Sequence, residues 1–325
     1  MNKYKMNHIL FENKKAVFRC RMKGWSMVFC LVLFLPYLVS VFWSGNEFRS
    51  DWQQVESDLE SRITIRIQGA EGIRALSMEE YLYGCLPAVI SADYESECLK
   101  AQAILLRTSL ISVYKETAES GQVEMEETNN LYLSRKQLQE MWGSAFEENY
   151  EKIKQAVSDT KGIYITYDGE PIKACYFQVS AGRTRNGSEV AGMDYPYLQS
   201  VECPKDYLSR NYLTQVTIKK SKLFQLLGGN IEITEWEDSG YISGTVLTGE
   251  ETIWISGDVI RSELDLSSSC FSLEEVKNEI TFTVKGTGHG LGMSQFAANE
   301  MAKEGKDYNA ILAYFFQNIT MDKYE

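Results

Sequence analysis

The chain has 325 residues, 44% hydrophobic and 24% charged, with a formal net charge of −12. That is the profile of a folded protein of one large domain or two smaller ones, and it excludes global disorder. An acid excess of this size also excludes nucleic acid as a partner held by phosphate neutralisation, which needs clustered Lys and Arg.

The first 49 residues run against that average. They hold Lys3, Lys5, Lys14, Lys15, Arg19, Arg21, Lys23 and Arg49 against only Glu12 and Glu47, which leaves 25 basic and 43 acidic residues at 50–325, a formal charge of −18. A surface that acidic suits a neutral or amphoteric polymer, or another protein. After a basic tail at 1–24, Trp25 to Trp43 is free of charge. As a helix rising about 1.5 Å per residue it spans a hydrocarbon core of roughly 30 Å, with Trp25 and Trp43 at the interfaces and Pro36 tolerated within. Seven of the eight basic residues precede this run, so the positive-inside bias predicts a single-pass protein of the cell membrane, N-terminus cytoplasmic and the C-terminal domain external. A cleavable signal peptide is the other reading; the long basic region and the lack of an Ala-x-Ala-like site favour an uncleaved anchor at 25–43.

Residues 44–61 read as a polar tether, and 62–325 as the folded domain. Five cysteines, Cys85, Cys98, Cys175, Cys203 and Cys270, fall in that domain. The number is odd and no spacing suits zinc, so a Cys85 to Cys98 disulfide and buried free thiols both stay open. Cys20 and Cys30, at or in the span, read as apolar filler, with acylation the other option.

RITIRI, Arg62 to Ile67, alternates strictly and predicts a half-buried strand with Ile63, Ile65 and Ile67 on one face. Ser77 with Glu80 forms a capping-box pattern before MEEYLYG. From Glu95 to Glu116, Leu99, Ala103, Leu106, Leu110 and Val113 recur at helical spacing, so that face is expected in the core. A second helix is expected from Ser134 to about Thr160. Strands then follow, with a hairpin signal at Asp168-Gly169, and continue through YLTQVTIK, TEWEDSGYISGTVLT, ETIWIS and EITFTVKG. Helices are expected again only at the end, in MSQFAANEMAKEG and YNAILAYFFQN. This order predicts an α+β fold with mixed antiparallel strands and flanking helices, preceded by one transmembrane helix.

The residues with the most distinctive chemistry lie in GTGHGLG, Gly286 to Gly292, between a strand and a helix. His289 is one of two histidines in the chain. Glycines let backbone approach a ligand, and a helix N-terminus offers free N–H donors. A dinucleotide fingerprint is excluded, because no parallel strand follows. A histidine that merely caps its own turn is the plain alternative.

Three ordered blocks resemble a known family. GTGHGLGMSQFAANEMAKEGKDYNAILAYFFQNI is similar to the closing signature of the sporulation stage II protein D (SpoIID) and LytB amidase-enhancer family. MEEYLYGCLPAVISADYESECLKAQAILLRTSL is similar to its opening block, and ACYFQVSAGRTRNGSEVAGMDYPYLQSVECPKD to its middle block. The resemblance covers about residues 61–320. It implies a membrane-anchored domain that acts on peptidoglycan glycan strands, in sporulation or wall remodelling, alongside a cell-wall amidase. The implied chemistry is lytic transglycosylation, in which one carboxylic acid of raised pKa protonates the glycosidic oxygen.

The chain departs from the family where that acid belongs. Aligned without gaps on Gly84 and on Leu99 to Ala103, the acid's position is taken by Val89, leaving Asp93 and Glu95 as possible substitutes; both also read as acids that favour a helix N-terminus. Gln178 stands where the family has a histidine that holds zinc in some members, and Ala181 replaces a glycine. No metal and no cofactor are expected. The remaining matches, Arg107, Thr108, Ser180, Gly182, Thr184, His289, Ser294 and Gln295, would line the saccharide cleft as hydrogen-bonding groups. For Arg107 a buried ion pair, and for Ser180 and Thr184 simple turn satisfaction, are the alternatives. The two functional readings are a transglycosylase with a displaced acid, and a non-catalytic glycan binder or enhancer of a partner amidase.

Overall fold

A computed structural model of the chain describes residues 63–69, 72–117, 122–124, 131–190, 195–249 and 252–323. The expected basic tail, anchor and tether at 1–24, 25–43 and 44–61 lie outside the described residues. No helix among the described residues is long and apolar enough to cross a membrane.

Strand β1 (Thr64–Gly69) pairs antiparallel with β2 (Gly72–Ser77). The alternation seen in the sequence puts Ile63, Ile65 and Ile67 at 2%, 0% and 6% exposure, all in the core. Helix α1 (Met78–Val89) starts at the expected capping box: Glu80 N–H donates to Ser77 Oγ, and Ser77 N–H donates back to Glu80 Oε2. Helix α2 (Ser96–Thr117) follows.

Helix α2 is buried more completely than one apolar face would require. Besides Leu99, Ala103, Leu106 and Leu110, its Ala101, Gln102, Ile104, Leu105, Arg107, Thr108 and Ile111 are 2% exposed or less, while Val113 is only half-buried. The reason is its place in the middle of the domain. It packs on α1, on α4 (Phe146–Asp159), on α7 (Gln295–Lys303), on α8 (Tyr308–Phe315) and on strand β4 (Ile163–Tyr167). Each large aliphatic side chain buried there contributes about 1.5–3 kcal/mol.

Three expectations are corrected in the middle of the chain. The single helix expected from Ser134 to Thr160 is two, α3 (Arg135–Trp142) and α4, separated by a 3₁₀ turn at Gly143–Ala145. Gly143 has φ 53°, which ends α3 in a conformation side chains avoid. The Asp168-Gly169 hairpin forms, both residues at positive φ, but β4 is answered only by the short β5 (Glu170–Pro171). CYFQVS contributes instead to β6 (Tyr176–Phe177), which pairs in parallel with β13 (Met293–Ser294). Helices also do not wait for the end of the chain: α5 (Lys220–Leu227) and α6 (Gly257–Glu263) fall among the strands.

Strands β7 (Leu213–Lys219), β11 (Phe271–Val276) and β12 (Glu279–Lys285) form one antiparallel sheet in the order β11-β12-β7. Strands β8 (Asn230–Trp236), β9 (Ile242–Thr248) and β10 (Thr252–Ile255) form another, with β9 central. These sheets, α5 and α6 enclose a core of their own around Phe282, Val284, Ile242, Leu247, Leu223 and Ile260. The first core is built by α1, α2, α4, α7, α8, β1 and β4. Strand β3 (Gln122–Glu124) lies parallel to β1, and β14 (Thr320–Lys323) antiparallel to β4. All of this belongs to one compact unit, Arg62–Glu325, and the α+β class with largely antiparallel sheets stands.

GTGHGLG is the crossing between the two cores, from β12 to β13. The helix after it begins two residues later than expected, at Gln295, because Met293–Ser294 first pairs with β6. Its far end is closed by a Schellman turn, Lys306 N–H to Met301 O and Gly305 N–H to Ala302 O, with Gly305 at φ 86°.

Candidate functional site

A cleft of about 350 Å³ opens where the end of α1, the loop to α2, the end of α3, the segment after β6 and the start of α7 meet. Val89 and Gln178, where the resemblance would put the family's acid and its histidine, both line it. Apolar and aromatic groups come from Pro87, Ile90, Tyr94, Met141 and Trp142, and polar ones from Ser91, Gln178, Ser209, Asn211 and Gln295. Among the described residues, no Asp, Glu, His, Lys or Arg lines it.

Gln295 sets the floor. It is 3% exposed, and its Nε2 donates to Val89 O and to Gln102 Oε1, both at 3.0 Å. Gln102 is itself fully buried on α2. An amide pair thus joins α1, α2 and α7 beneath the cleft, and a net hydrogen bond of this kind contributes about 0.5–1.5 kcal/mol.

The substitute acids stand outside. Asp93 is exposed and held by its own loop, accepting from Ser91 Oγ at 3.2 Å. Glu95 is exposed too, and its backbone N–H donates to Asn299 Oδ1 on α7. Neither lines the cleft. Their position just before α2 is the helix N-terminus that favours acids.

Of the eight residues expected to hold substrate, Gln295 is the one that lines the cleft. Arg107, at 0% exposure, donates from Nε and Nη2 to the two oxygens of Glu79 at 2.8 and 2.7 Å, and from Nη1 and Nη2 to the carbonyls of Ile163 and Val157. Its donors are spent inside the first core. Thr108, also fully buried, donates to Ile104 O and accepts from Ile165 N–H. Thr184 Oγ1 accepts from Val201 N–H, and Ser180 Oγ accepts from Gly182 N–H, in turns of the middle block. Gly182 takes φ 117° to make that turn, with its carbonyl accepting from Cys203 N–H.

A residue that sequence reasoning passed over explains two of these placements, Ser180 and Ser294. Asp206 is fully buried, and its Oδ2 accepts from Ser180 N–H at 2.6 Å and Ser294 Oγ at 2.7 Å. Ser294 in turn caps α7, accepting from Ala297 N–H. Burial holds the Asp206 carboxyl above the ordinary range, against the pull of those hydrogen bonds. The side chain ties its own segment to the turn at Ser180 and to the start of α7.

His289 lies off the cleft. Its ring packs on Phe177 at 5.7 Å between centroids, and its Nδ1 accepts from Leu291 N–H at 3.1 Å, so it closes its own turn. Burial first, and the nearby cations Arg261 and Arg185 second, lower its pKa to about 4. The imidazole is therefore neutral at physiological pH, with Nδ1 as acceptor and the remaining N–H on Nε2.

The four glycines around it, Gly286, Gly288, Gly290 and Gly292, all have positive φ, from 74° to 116°. Their purpose is protein packing. A Cβ at Gly288 would meet Phe177, one at Gly290 would meet Tyr241 and Arg185, and one at Gly292 would run into the Cys175 carbonyl. The sequence expectation of close approach is right, but the approaching group is the protein's own.

Beside this crossing lies the main charged cluster. Arg185, 3% exposed, is paired with Glu237, with Asp258 at 2.9 Å, and with the His289 carbonyl at 3.2 Å, and it stacks over the Tyr241 ring. Its backbone N–H donates to Gly290 O. Arg185, Asp206 and Trp142 had no periodic signal to mark them; only the glycine after Trp142, in an otherwise helical stretch, hinted at a break there.

All five cysteines of the folded part are free thiols, and Cys85 and Cys98 are buried. Burial pushes the Cys85 thiol up to about 12. Among the described residues no three His, Cys, Asp or Glu side chains gather as a metal site.

A family model described as "Stage II sporulation protein" (SpoIID) matches residues 67–167. The chain is 32% identical to the Stage II sporulation protein D of Bacillus subtilis (strain 168) over 259 residues, 76% of this chain and 75% of that protein. It is also 32% identical to the Stage II sporulation protein D of Bacillus amyloliquefaciens, over 77% of this chain and 76% of that one. An "Amidase enhancer" of Bacillus subtilis (strain 168) is 23% identical over 75% of this chain and 40% of its own length.

Proposed function

This chain belongs to the stage II sporulation protein D family, and from that premise we propose that it binds peptidoglycan glycan strands through the cleft at Val89 without cleaving them, and that it assists a partner cell-wall amidase. A role in sporulation and the cell wall follows from the family. The rest is our reading. A basic N-terminal tail and the apolar run Trp25 to Trp43 support anchorage in the cell membrane with the folded unit outside.

One observation carries the choice of binder over enzyme: among the described residues no carboxylate lines the cleft, and Val89 lies in its wall where the family resemblance would put an acid. Protonating a glycosidic oxygen requires a proton donor within hydrogen-bond reach, about 2.6–3.2 Å, of that oxygen. The Gln295 and Gln102 amides cannot supply one. A similarity to a protein named "Amidase enhancer" supports the partner.

A second reading rests on Ser91, which lines the cleft and also holds Asp93 at 3.2 Å. Rotation of that short loop would bring a carboxylate to the cleft mouth.

Incubation of the full-length chain with sacculi and with peptide-stripped glycan strands separates the readings. The expected result is co-sedimentation with sacculi and no anhydro-muropeptides by mass spectrometry. Anhydro products lost on Asp93→Ala would establish the displaced acid instead. Absence of sedimentation would sink both. The amidase arm is read as faster amidase turnover on sacculi when the chain is added.

A further inference from the structure

The stretch from Leu223 to Ile260 carries seven acids, Glu232, Glu235, Glu237, Asp238, Glu250, Glu251 and Asp258, and no Lys, Arg or His. Glu237 and Asp258 are answered by Arg185. Glu232, Glu235 and Asp238 are exposed, and among the described residues no cation pairs with them.

Two of these acids share a sheet face with an exposed tryptophan. Strands β8, β9 and β10 turn Ile231, Ile233 and Leu247 to the second core. On the opposite face the register sets Glu232, Val246 and Trp254 in one row. A bulge in β8 then puts Glu235 opposite Gly244, two residues along β9 from Val246, so both carboxylates stand on this face. In an unbroken strand, residues three apart would point to opposite faces. Trp254 leans diagonally onto Gly244, where a Cβ would come within 2.5 Å of its Nε1. Gly244 is not among the glycines with positive φ, so what its missing side chain provides is room for the indole. Trp254 is still 56% exposed.

The two edges of the sheet differ. Strand β8 is bulged and carries both acids, features that discourage another strand from adding to an edge. Strand β10, TIWI, has no charge and no proline, and no described strand pairs with its outer side. Ile253 and Trp254, which point to opposite faces, are 46% and 56% exposed. An extended polypeptide laid along β10 would make main-chain hydrogen bonds and bring every second side chain onto the face of Trp254. A Lys or Arg there meets an indole ring and two carboxylates.

We infer that the β8-β9-β10 sheet is a docking surface for a basic, extended segment of a partner protein, which adds to the β10 edge and sets alternate Lys or Arg side chains against Trp254, Glu232 and Glu235. The same charge disfavours a second copy of this chain, whose matching face would also be acidic, and an anionic membrane surface. The inference goes beyond the glycan cleft and is independent of it, since the two share no lining residue.

The experiment titrates the full-length chain in detergent with an octapeptide alternating Arg and Thr, and with its counterpart alternating Glu and Thr. The Arg peptide is expected to bind saturably and the Glu peptide not at all. Trp254→Ala should weaken the Arg peptide about tenfold. Glu232→Gln with Glu235→Gln, a change of exposed groups only, should weaken it about fivefold and flatten its dependence on salt. Glu140→Gln with Glu148→Gln, exposed acids of α3 and α4, is the control and should leave binding within about twofold. An equal loss in that control, binding unmoved by Trp254→Ala, or no binding of the Arg peptide overturns the inference. A dimer that Trp254→Ala takes apart would assign the face to a second copy. After reconstitution in vesicles of brominated phosphatidylcholine, lipid quenching that disappears on Trp254→Phe would assign it to the membrane. Either result also overturns the inference, and none of these outcomes bears on the cleft.

Discussion

The cleft at Val89 and the cluster at Arg185 are opposites built from the same kinds of segment. Each lies where loops of the first core meet another element. The cleft is open, and the described residues that line it all carry side chains without a formal charge. The cluster is closed and concentrates Arg185, Glu237 and Asp258 around the glycine crossing, with Arg185 and Glu237 both nearly buried. The difference teaches that buried charge in this domain serves cohesion. Arg185 holds the crossing, the turn after β8 and α6 together, as Arg107 and Glu79 hold α2 to α1. Among the described residues, no Asp, Glu, His, Lys or Arg lines the cleft.

The largest test of that contrast breaks the closed cluster. Arg185→Ala leaves the Glu237 carboxylate buried without its cation, and a broken buried pair costs about 3–5 kcal/mol. Urea unfolding should show a loss of that order, with glycan binding falling only as far as the folded fraction falls. Loss of binding in a variant that remains fully folded would mean that the cluster serves the ligand directly.

A smaller effect comes from His289, whose pKa is lowered to about 4 by burial and by its cationic neighbours. Its folded state binds fewer protons than the unfolded chain, in which histidine titrates near 6.5. The stability it contributes is therefore complete above about pH 6.5 and is lost as pH falls from there toward 4, about 1–3 kcal/mol in all. Asp206, raised by burial, acts with the opposite sign, and its contribution is lost as pH rises through its folded value. Unfolding midpoints of the unaltered chain and of His289→Asn, compared at pH 7 and 4.5, isolate the histidine. The variant should show a shallower decline into acid.

Gln295→Leu is smaller again. It removes two hydrogen bonds under the cleft and orphans the Val89 carbonyl, costing about 1–2 kcal/mol by unfolding. The smallest expected effect is the sharpest statement about the cleft: with no Asp, Glu, His, Lys or Arg among the described residues of its walls, and with burial raising the Tyr94 hydroxyl, glycan affinity should change less than about twofold between pH 5.5 and 8. A bell-shaped profile would reveal an acid at work and favour Asp93.

Much of the architecture was legible because it follows from local rules. Ser77 with Glu80, the alternation at Ile63 to Ile67, and the Asp168-Gly169 turn are written in a few neighbouring residues and appear where expected. The breaks were harder to see. Gly143 splits one periodic stretch into two helices, and α5 and α6 are short helices whose apolar residues complete a sheet-built core. Their reason for being helical is the partner they cover, which no window of sequence contains.

The site divides in the same way. Ordered blocks located Val89, Gln178 and Gln295, and the structure brings all three to one cleft. The blocks also marked Arg107, Thr108, Ser180, Thr184 and Ser294, whose polar atoms meet protein partners in the interior. Sequence by itself determined which residues can hydrogen-bond, where the strongest local signals start an element, as at Ser77, and that position 89 carries a valine. Only the tertiary structure decided to whom each polar group is bonded. A side chain's donors and acceptors are a property of its type, but the partner that satisfies them is whatever the fold places about 3 Å away.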